Sequence, residues 1–196
     1  MQNTKTAHTA LKAAALTLIG LAPSQALADW SGTYAGLSLG SLTKGEGTST
    51  FAGEDQTAQI EGDFILGGFA GVQRQLGTLV YGGELEFGRA NDFEIINDDD
   101  NLDRDFNLID LKARIGNDLG DALIYGVAGL SYVKAFGDFE GEDTAQGFNI
   151  GFGLDYKIND QFTFGAEYLA RRVVVEDEID FDVDFETLAL RAAMHF

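Results

Sequence analysis

A period-two alternation of large apolar residues with small or charged ones runs through most of this chain and constrains its fold more than any other feature. In "GFNIGFGLDYK" (147–157), Phe148, Ile150, Phe152, Leu154 and Tyr156 share one side of an extended backbone, while Asn149, Gly151, Gly153, Asp155 and Lys157 share the other. A helix would scatter both sets around its circumference, so the segment reads as a strand with two unlike faces. Eight such segments are legible, at 31–40, 62–74, 78–90, 105–116, 122–135, 147–158, 161–174 and 183–196. Each has about 10–14 residues, against about 5–6 for an ordinary globular strand and about 9–11 for one crossing a bilayer at a tilt.

The links between them alternate in kind. "QLGT" (75–78), "NDLGD" (117–121) and "IND" (158–160) are tight turns. "SLTKGEGTSTFAGEDQTAQIE" (41–61), "NDFEIINDDDNLD" (91–103), "GDFEGEDTAQ" (137–146) and "VEDEIDFD" (175–182) are long and acidic. One end of the sheet therefore carries tight turns and the other carries large loops. The predicted fold is all-β: an eight-stranded antiparallel up-and-down transmembrane β-barrel with short periplasmic turns and long extracellular loops. An even number of strands puts both termini at the short-turn end.

Composition narrows the function classes. The chain lacks cysteine, which excludes a disulfide framework and a thiolate metal site. A net charge of −19 argues against nucleic acid as a partner, since phosphate binding needs a basic stripe. Outside the first 28 residues there is no apolar run of about 18 residues that could cross a membrane as a helix. Those first residues read differently. Lys5 and Lys12 precede the apolar "AAALTLIGL" (13–21), then Pro23 and "ALA" (26–28), which are the parts of a secretory signal peptide. The predicted organisation is a signal peptide over 1–28, cleaved after Ala28, and one barrel domain over 29–196. Residues 29–196 keep 11 Lys and Arg against 32 Asp and Glu, a formal −21.

The same two faces recur on other strands. Phe162, Phe164, Ala166, Tyr168 and Ala170 oppose Thr163, Gly165, Glu167 and Arg171; Leu79, Tyr81, Leu85 and Phe87 oppose Gly82, Glu84 and Glu86. Ile109, Leu111, Ala113 and Ile115 oppose Asp110, Lys112 and Arg114; Leu188, Leu190, Ala192, Met194 and Phe196 oppose Thr187, Ala189, Arg191 and His195. The bulky set would overfill an eight-stranded interior, so it is expected to face lipid and the glycine-and-charge set to face the lumen. Opposed residues share a face, which places Glu167 opposite Gly151 or Gly153, Glu86 opposite Gly67, and Lys112 opposite Gly126. Each glycine is expected to leave room for the long side chain beside it.

With the faces assigned, a family likeness emerges. "WSGTYAGLSLG" (30–40) resembles the opening strand of the eight-stranded outer-membrane β-barrel family of Gram-negative bacteria, which includes the OmpA-type transmembrane domain, opacity proteins and small surface antigens. "GFNIGFGLDYKINDQFTFGAEYLARR" (147–172) resembles the family's penultimate hairpin with its Glu-Tyr pair, here Glu167–Tyr168. Phe196, with alternating apolar residues before it, resembles the C-terminal signal read by the barrel-assembly machinery. The likeness covers 29–196 and implies an integral protein of the cell outer membrane, without the peptidoglycan-binding domain of full-length OmpA.

Three constellations are candidates for chemistry. The first is the inward charges Glu84, Glu86, Asp110, Lys112, Arg114, Asp155, Lys157, Glu167, Arg171 and Arg191, five acids and five bases. Buried charges must be paired, so these are expected to form a lumenal ion-pair network. Glu167 and Arg171 stand about 13 Å apart along one strand and must find partners on neighbouring strands. The alternatives are an ion pathway through a small porin-like channel, or a lumenal site for a small solute. The second is a catalytic group. His195, the one histidine after residue 28, sits at the periplasmic end, leaving a His-based triad at the outer rim without its histidine. Glu84 and Glu86 suit an ion-pair ladder better than acid–base work. The third is the acidic loops. "NDDDNLDRD" (97–105) has Arg104 where a calcium loop needs glycine. "EDEIDFD" (176–182) suits weak divalent-cation bridging to lipopolysaccharide phosphates. No strand–glycine–helix context for phosphate binding follows the glycines. The expectation is therefore a non-enzymatic barrel with no cofactor and no metal, which supports envelope integrity and surface properties. Its expected partners are outer-membrane lipids, lipopolysaccharide, the assembly machinery and a host or phage surface partner for the loops. The opposite reading, a soluble lipocalin-like binder with faces reversed, predicts a periplasmic protein that needs no detergent.

Overall fold

The computed structural model describes the backbone of residues 29–51, 54–61, 64–96, 101–136, 144–175 and 181–196. Within these it describes side chains other than those at 44, 46–61, 91–96, 101–105, 135–136, 175 and 181–182. The strands are β1 (Gly32–Phe51), β2 (Glu54–Glu61), β3 (Phe64–Leu76), β4 (Leu79–Ile96), β5 (Asn101–Asp118), β6 (Ala122–Phe136), β7 (Thr144–Lys157), β8 (Phe162–Val175) and β9 (Phe181–His195). Neighbours in sequence pair antiparallel from β3 to β9, β1 pairs with β3, and β1–β9 pairing closes the sheet on itself. Every strand within the membrane thus has a partner on both sides, the condition lipid imposes on a backbone.

Nine strands occupy eight positions. β2 pairs with β1 on one side and β4 on the other, the place that β3 holds lower down, so β2 and β3 are two stretches of one barrel strand. This corrects the expectation for 41–61 and 91–103. Most of both segments is ladder, not loop: β1 runs to Phe51, β4 to Ile96, and β5 starts at Asn101. Above the membrane both faces meet water, so pairing continues without an alternating pattern to announce it. Residues 97–100, 137–143 and 176–180, the centres of three expected loops, lie outside the described residues, as does 1–28 with the expected cleavage at Ala28.

The short turns form by local chemistry. Gly77 takes a left-handed φ of 63° in the two-residue link from β3 to β4. In the β5–β6 turn Gly120 has φ 91° and donates its N–H to Asp118 Oδ1 at 2.7 Å. Asn159 Oδ1 accepts from Gln161 N and Phe162 N, both at 2.9 Å, an Asx turn that launches β8.

The outward face is apolar around the whole circumference. Phe148, Ile150 and Phe152 are 72%, 67% and 64% exposed, and Leu37, Leu66, Leu85, Leu111, Leu130, Phe164 and Leu190 continue the belt on other strands. Contiguous exposed apolar surface on this scale matches a bilayer, not water. The belt reaches the periplasmic turns, where Leu76, Leu119 and Ile158 are exposed. Toward the other end it gives way to Arg89, Asn107, Lys134, Gln146, Arg172 and Glu186, which follow Phe87, Ile109, Tyr132, Phe148, Ala170 and Leu188 on the outward face. β4 and β5 continue well beyond that ring.

Candidate functional site in the barrel lumen

Eight strands leave an interior just wide enough for side chains, and here it is filled in layers. At the centre stands Lys112 of β5. Its Nζ lies 2.5 Å from Glu86 Oε2 and 2.6 Å from Glu167 Oε1 as hydrogen bonds, and 2.8 Å from Glu84 Oε1 as a charge contact. Carboxylate oxygens of these three glutamates lie within 4.8 Å of one another, a nest suited to a cation. The lysine ammonium, with three donors and no acceptor, is that cation.

Glu84 ties the cluster together. Its Oε2 accepts from Arg114 Nη1 (2.8 Å), Arg191 Nη2 (2.7 Å) and the Tyr34 hydroxyl (2.9 Å). Arg191 also donates Nη1 to Glu167, and Arg114 donates Nη2 to Asp155 Oδ2 at 2.6 Å. Ser38 Oγ donates to the free oxygen of Glu86 at 2.5 Å. Aromatic faces cover the guanidinium planes: Arg114 lies 3.8 Å from the centre of Tyr125, and Arg191 lies 3.9 Å from that of Phe69. The side chains of Lys112 and Glu84 are 0% exposed, and their desolvation is offset by three opposite charges around each: Glu84, Glu86 and Glu167 about Lys112, and Lys112, Arg114 and Arg191 about Glu84.

A second polar layer sits nearer the outer end. Asp110 accepts from Arg171 Nη2 at 2.6 Å, from Arg171 Nε and from Ser131 Oγ, while Arg171 Nη1 donates to Thr187 Oγ1 at 2.8 Å. Apolar clusters pack against this arrangement. Leu108, Val133, Ala145, Val173 and Phe185 pack above it; Trp30, Val80, Leu123, Tyr125, Val127 and Leu169 form a second apolar cluster that runs from the periplasmic mouth up beside the charges, Leu169 standing between Glu167 and Arg171 on β8.

Nine of the ten predicted charges come together: Glu84, Glu86, Lys112, Arg114, Asp155, Glu167 and Arg191 in the lower cluster, and Asp110 with Arg171 in the upper. Lys157 does not join them. It is displaced to the periplasmic mouth, where its Nζ stands 4.3 Å from the Trp30 ring centre and donates to the Asp29 carbonyl at 3.3 Å. The last inward position of β7 lies too near the turn for its side chain to reach the cluster.

The register corrects two of the expected pairings. Glu86 faces Phe69, and Gly67 faces Gly88; Lys112 faces Gly129, and Gly126, facing Ile115, points outward. The Glu86 carboxylate nevertheless leans over Gly67, with Oε1 3.2 Å from where a Cβ would stand. Glu167 does face Gly153, but the space there belongs to Tyr125, whose Cζ and Oη lie 2.4 Å from a Cβ position on Gly153. Tyr34 covers Gly71 in the same way, and Phe69 covers Gly36. Gly36, Gly71 and Gly153 thus make room for aromatic rings, whereas Gly165 does leave room for a charge opposite it, with Asp155 Oδ1 2.2 Å from its Cβ position.

Those rings are not among the residues the sequence assigns to the lumen, nor are Trp30, Leu169 and Ser131; Asn149 is buried on the inward face its parity predicts. "ALIYGVAGLSYV" (122–133) is apolar on both faces, so inward Tyr125 and outward Ile124 carry the same signal. Outside the lumen, Arg172 pairs with Asp184 at 2.7 and 2.8 Å on the exposed outer rim. The last residue, Phe196, is 67% exposed on the lipid side and donates its N–H to the Thr33 carbonyl at 2.9 Å, extending the β1–β9 seam.

A closed barrel with a lipid-facing apolar belt and a lumen packed with paired charges is an integral β-barrel of the outer membrane. The model of the outer membrane protein beta-barrel domain matches residues 13–196, and the chain belongs to that family. Among curated proteins it is similar to the 22 kDa outer membrane protein of Rhizobium leguminosarum bv. viciae, at 28% identity over 166 residues, covering 83% of this chain and 72% of the relative. In fold it is similar to neisserial surface protein A (17% identity, TM-score 0.57, 85% of this chain and 98% of that one). It is also similar to OprG of Pseudomonas aeruginosa (14% identity, TM-score 0.55, 85% and 96%). The protein is located in the cell outer membrane.

Proposed function

We propose that this barrel is a non-enzymatic structural and surface protein of the outer membrane, and that its lumen holds the wall together instead of conducting. The observation that carries this reading is the filling of the lumen, with Lys112 and Glu84 at 0% side-chain exposure and an apolar layer closing the outer end. A conducting pore needs a continuous file of water, and a layer of Leu108, Val133, Val173 and Phe185 offers water no hydrogen bond. His195 lies at the periplasmic mouth, 3.2 Å from Thr163 Oγ1, where it serves no extracellular chemistry.

The outer rim supplies the surface role. Arg89 and Lys134 stand outward just above the belt, at headgroup height, where long cationic side chains extend toward lipopolysaccharide phosphates. The long segments above them are available to a host or phage surface. Phe196 and the alternating residues before it serve as the signal for the assembly machinery. Purified protein in planar lipid bilayers tests the sealed lumen. No discrete conductance is expected, and stable, reproducible steps would establish the porin-like alternative.

A further inference from the structure

The segment before β1 is not part of the barrel wall, yet it is the most heavily tied stretch at the periplasmic end. Asp29 and Trp30 make no strand pairing. Trp30 is 0% exposed. Its backbone N–H donates to Gln75 Oε1 at 2.8 Å and its indole N–H to Asp118 Oδ1 at 3.0 Å. Gln75 Nε2 donates in turn to Asp118 Oδ2 at 2.7 Å, and Gln75 N donates to Ser31 Oγ at 2.9 Å. Lys157 closes the arrangement from β7, over the indole face and onto the Asp29 carbonyl. Three residues thus bridge β3, the end of β5 and the end of β7 across the barrel mouth.

The indole covers one part of that mouth, packed on Val80, Leu123, Tyr125, Val127 and Leu169. Beside it a small, partly open cavity of about 10 Å³, room for about one water, is lined by Gln73, Thr163 and His195 and reaches Arg114, Asp155 and Arg191. We propose that Asp29–Ser31 is a lid on the periplasmic mouth, held by a polar clasp, and that its release opens the lower half of the lumen to the periplasm. Two features make it a lid and not a piece of wall. Its departure breaks no strand hydrogen bond of Asp29 or Trp30. The indole leaves space continuous with the neighbourhood of a cavity that already reaches the ion-pair cluster. The layer of Leu108, Val133, Val173 and Phe185 stays closed above, so the opened state is a blind half-channel.

Because the chain has no cysteine, a single introduced thiol reports access cleanly. Val127→Cys places one behind the indole, and Val133→Cys places one in the upper layer. The rate of modification by a small charged methanethiosulfonate is followed on folded protein in micelles, with gel mobility before and after boiling as the check of fold. Trp30→Ala is expected to speed modification of the thiol at 127 by at least about tenfold, the factor that a modest loss of closing free energy gives. The thiol at 133 should stay protected. Asp118→Asn, which weakens the clasp and creates no void, should speed the reaction at 127 by a smaller factor. Equal rates at 127 in all three backgrounds would overturn the lid, and so would loss of the folded form in Trp30→Ala. Equal acceleration at 127 and 133 would overturn the blind half-channel. None of these outcomes depends on conductance, so the lid and the sealed outer half fail separately.

Discussion

Gly126 of β6 and Gly153 of β7 stand one register position apart, on neighbouring strands, in opposite surroundings. Gly126 points outward, and a Cβ there would meet just one atom within 4 Å, the Gly151 carbonyl oxygen at 3.8 Å. Gly153 points inward, where a Cβ would lie 2.4 Å from the Tyr125 ring and 2.8 Å from the Ala166 carbonyl oxygen. Lipid is a liquid that flows around an added methyl group. The lumen is packed at the density of a crystal and has nowhere to put one. Size is therefore constrained inside and polarity outside; a soluble barrel shares the tight interior but reverses the polarity, with an apolar core and a surface that accepts charge.

The largest effect expected on either side comes from leaving buried charges unpaired. Lys112→Ala strands the carboxylates of Glu84, Glu86 and Glu167 in a closed lumen and should cost about 3–5 kcal/mol in the unfolding free energy measured by urea in lipid vesicles. Outside, Leu154→Arg puts a charge near the middle of the belt and should cost about 2–4 kcal/mol in the same assay. A smaller penalty there than for any conservative lumenal change would mean the faces are reversed. Gly153→Ala should cost about 1–3 kcal/mol from overpacking against Tyr125, and Gly153→Arg should cost more. Gly126→Ala should stay within about 0.5 kcal/mol of the parent, as an unconstrained surface change does. If the two alanine variants behave alike, the contrast between wall and lumen fails.

How much of this was legible depended on how unlike a strand's two faces are. On β7 and β8, Phe against Gly and Tyr against Glu specify both the strand and its orientation, and the structure keeps every assignment made there except the destination of Lys157. On β6 both faces are apolar, so the inward Leu123, Tyr125 and Val127 could not be told from the outward Ile124 and Leu130. Above the membrane the alternation stops because both faces meet water. There the ladders of β1, β2, β4 and β5 continue where sequence suggested loops. Register was the weakest expectation. For Glu86 the partner moves by two residues, from Gly67 to Phe69, which preserves the face; for Lys112 it moves by three, from Gly126 to Gly129, which exchanges an outward residue for an inward one on a strand whose two faces look alike.

The sequence by itself determined the class: period-two alternation, strand lengths, alternating links and a bulky outward face admit few solutions other than a lipid-embedded barrel. It also determined which charges enter the lumen, because side-chain direction in a strand depends on parity alone. Tertiary structure decided who meets whom. Lys112 reaches three glutamates on β4 and β8, Arg114 lies between Tyr34 and Tyr125, and Trp30 folds under the mouth because closing the sheet brings strands remote in sequence within side-chain reach. The physical reason is that parity is local along one strand, whereas partnership depends on curvature, shear and the competition of many long side chains for one narrow lumen.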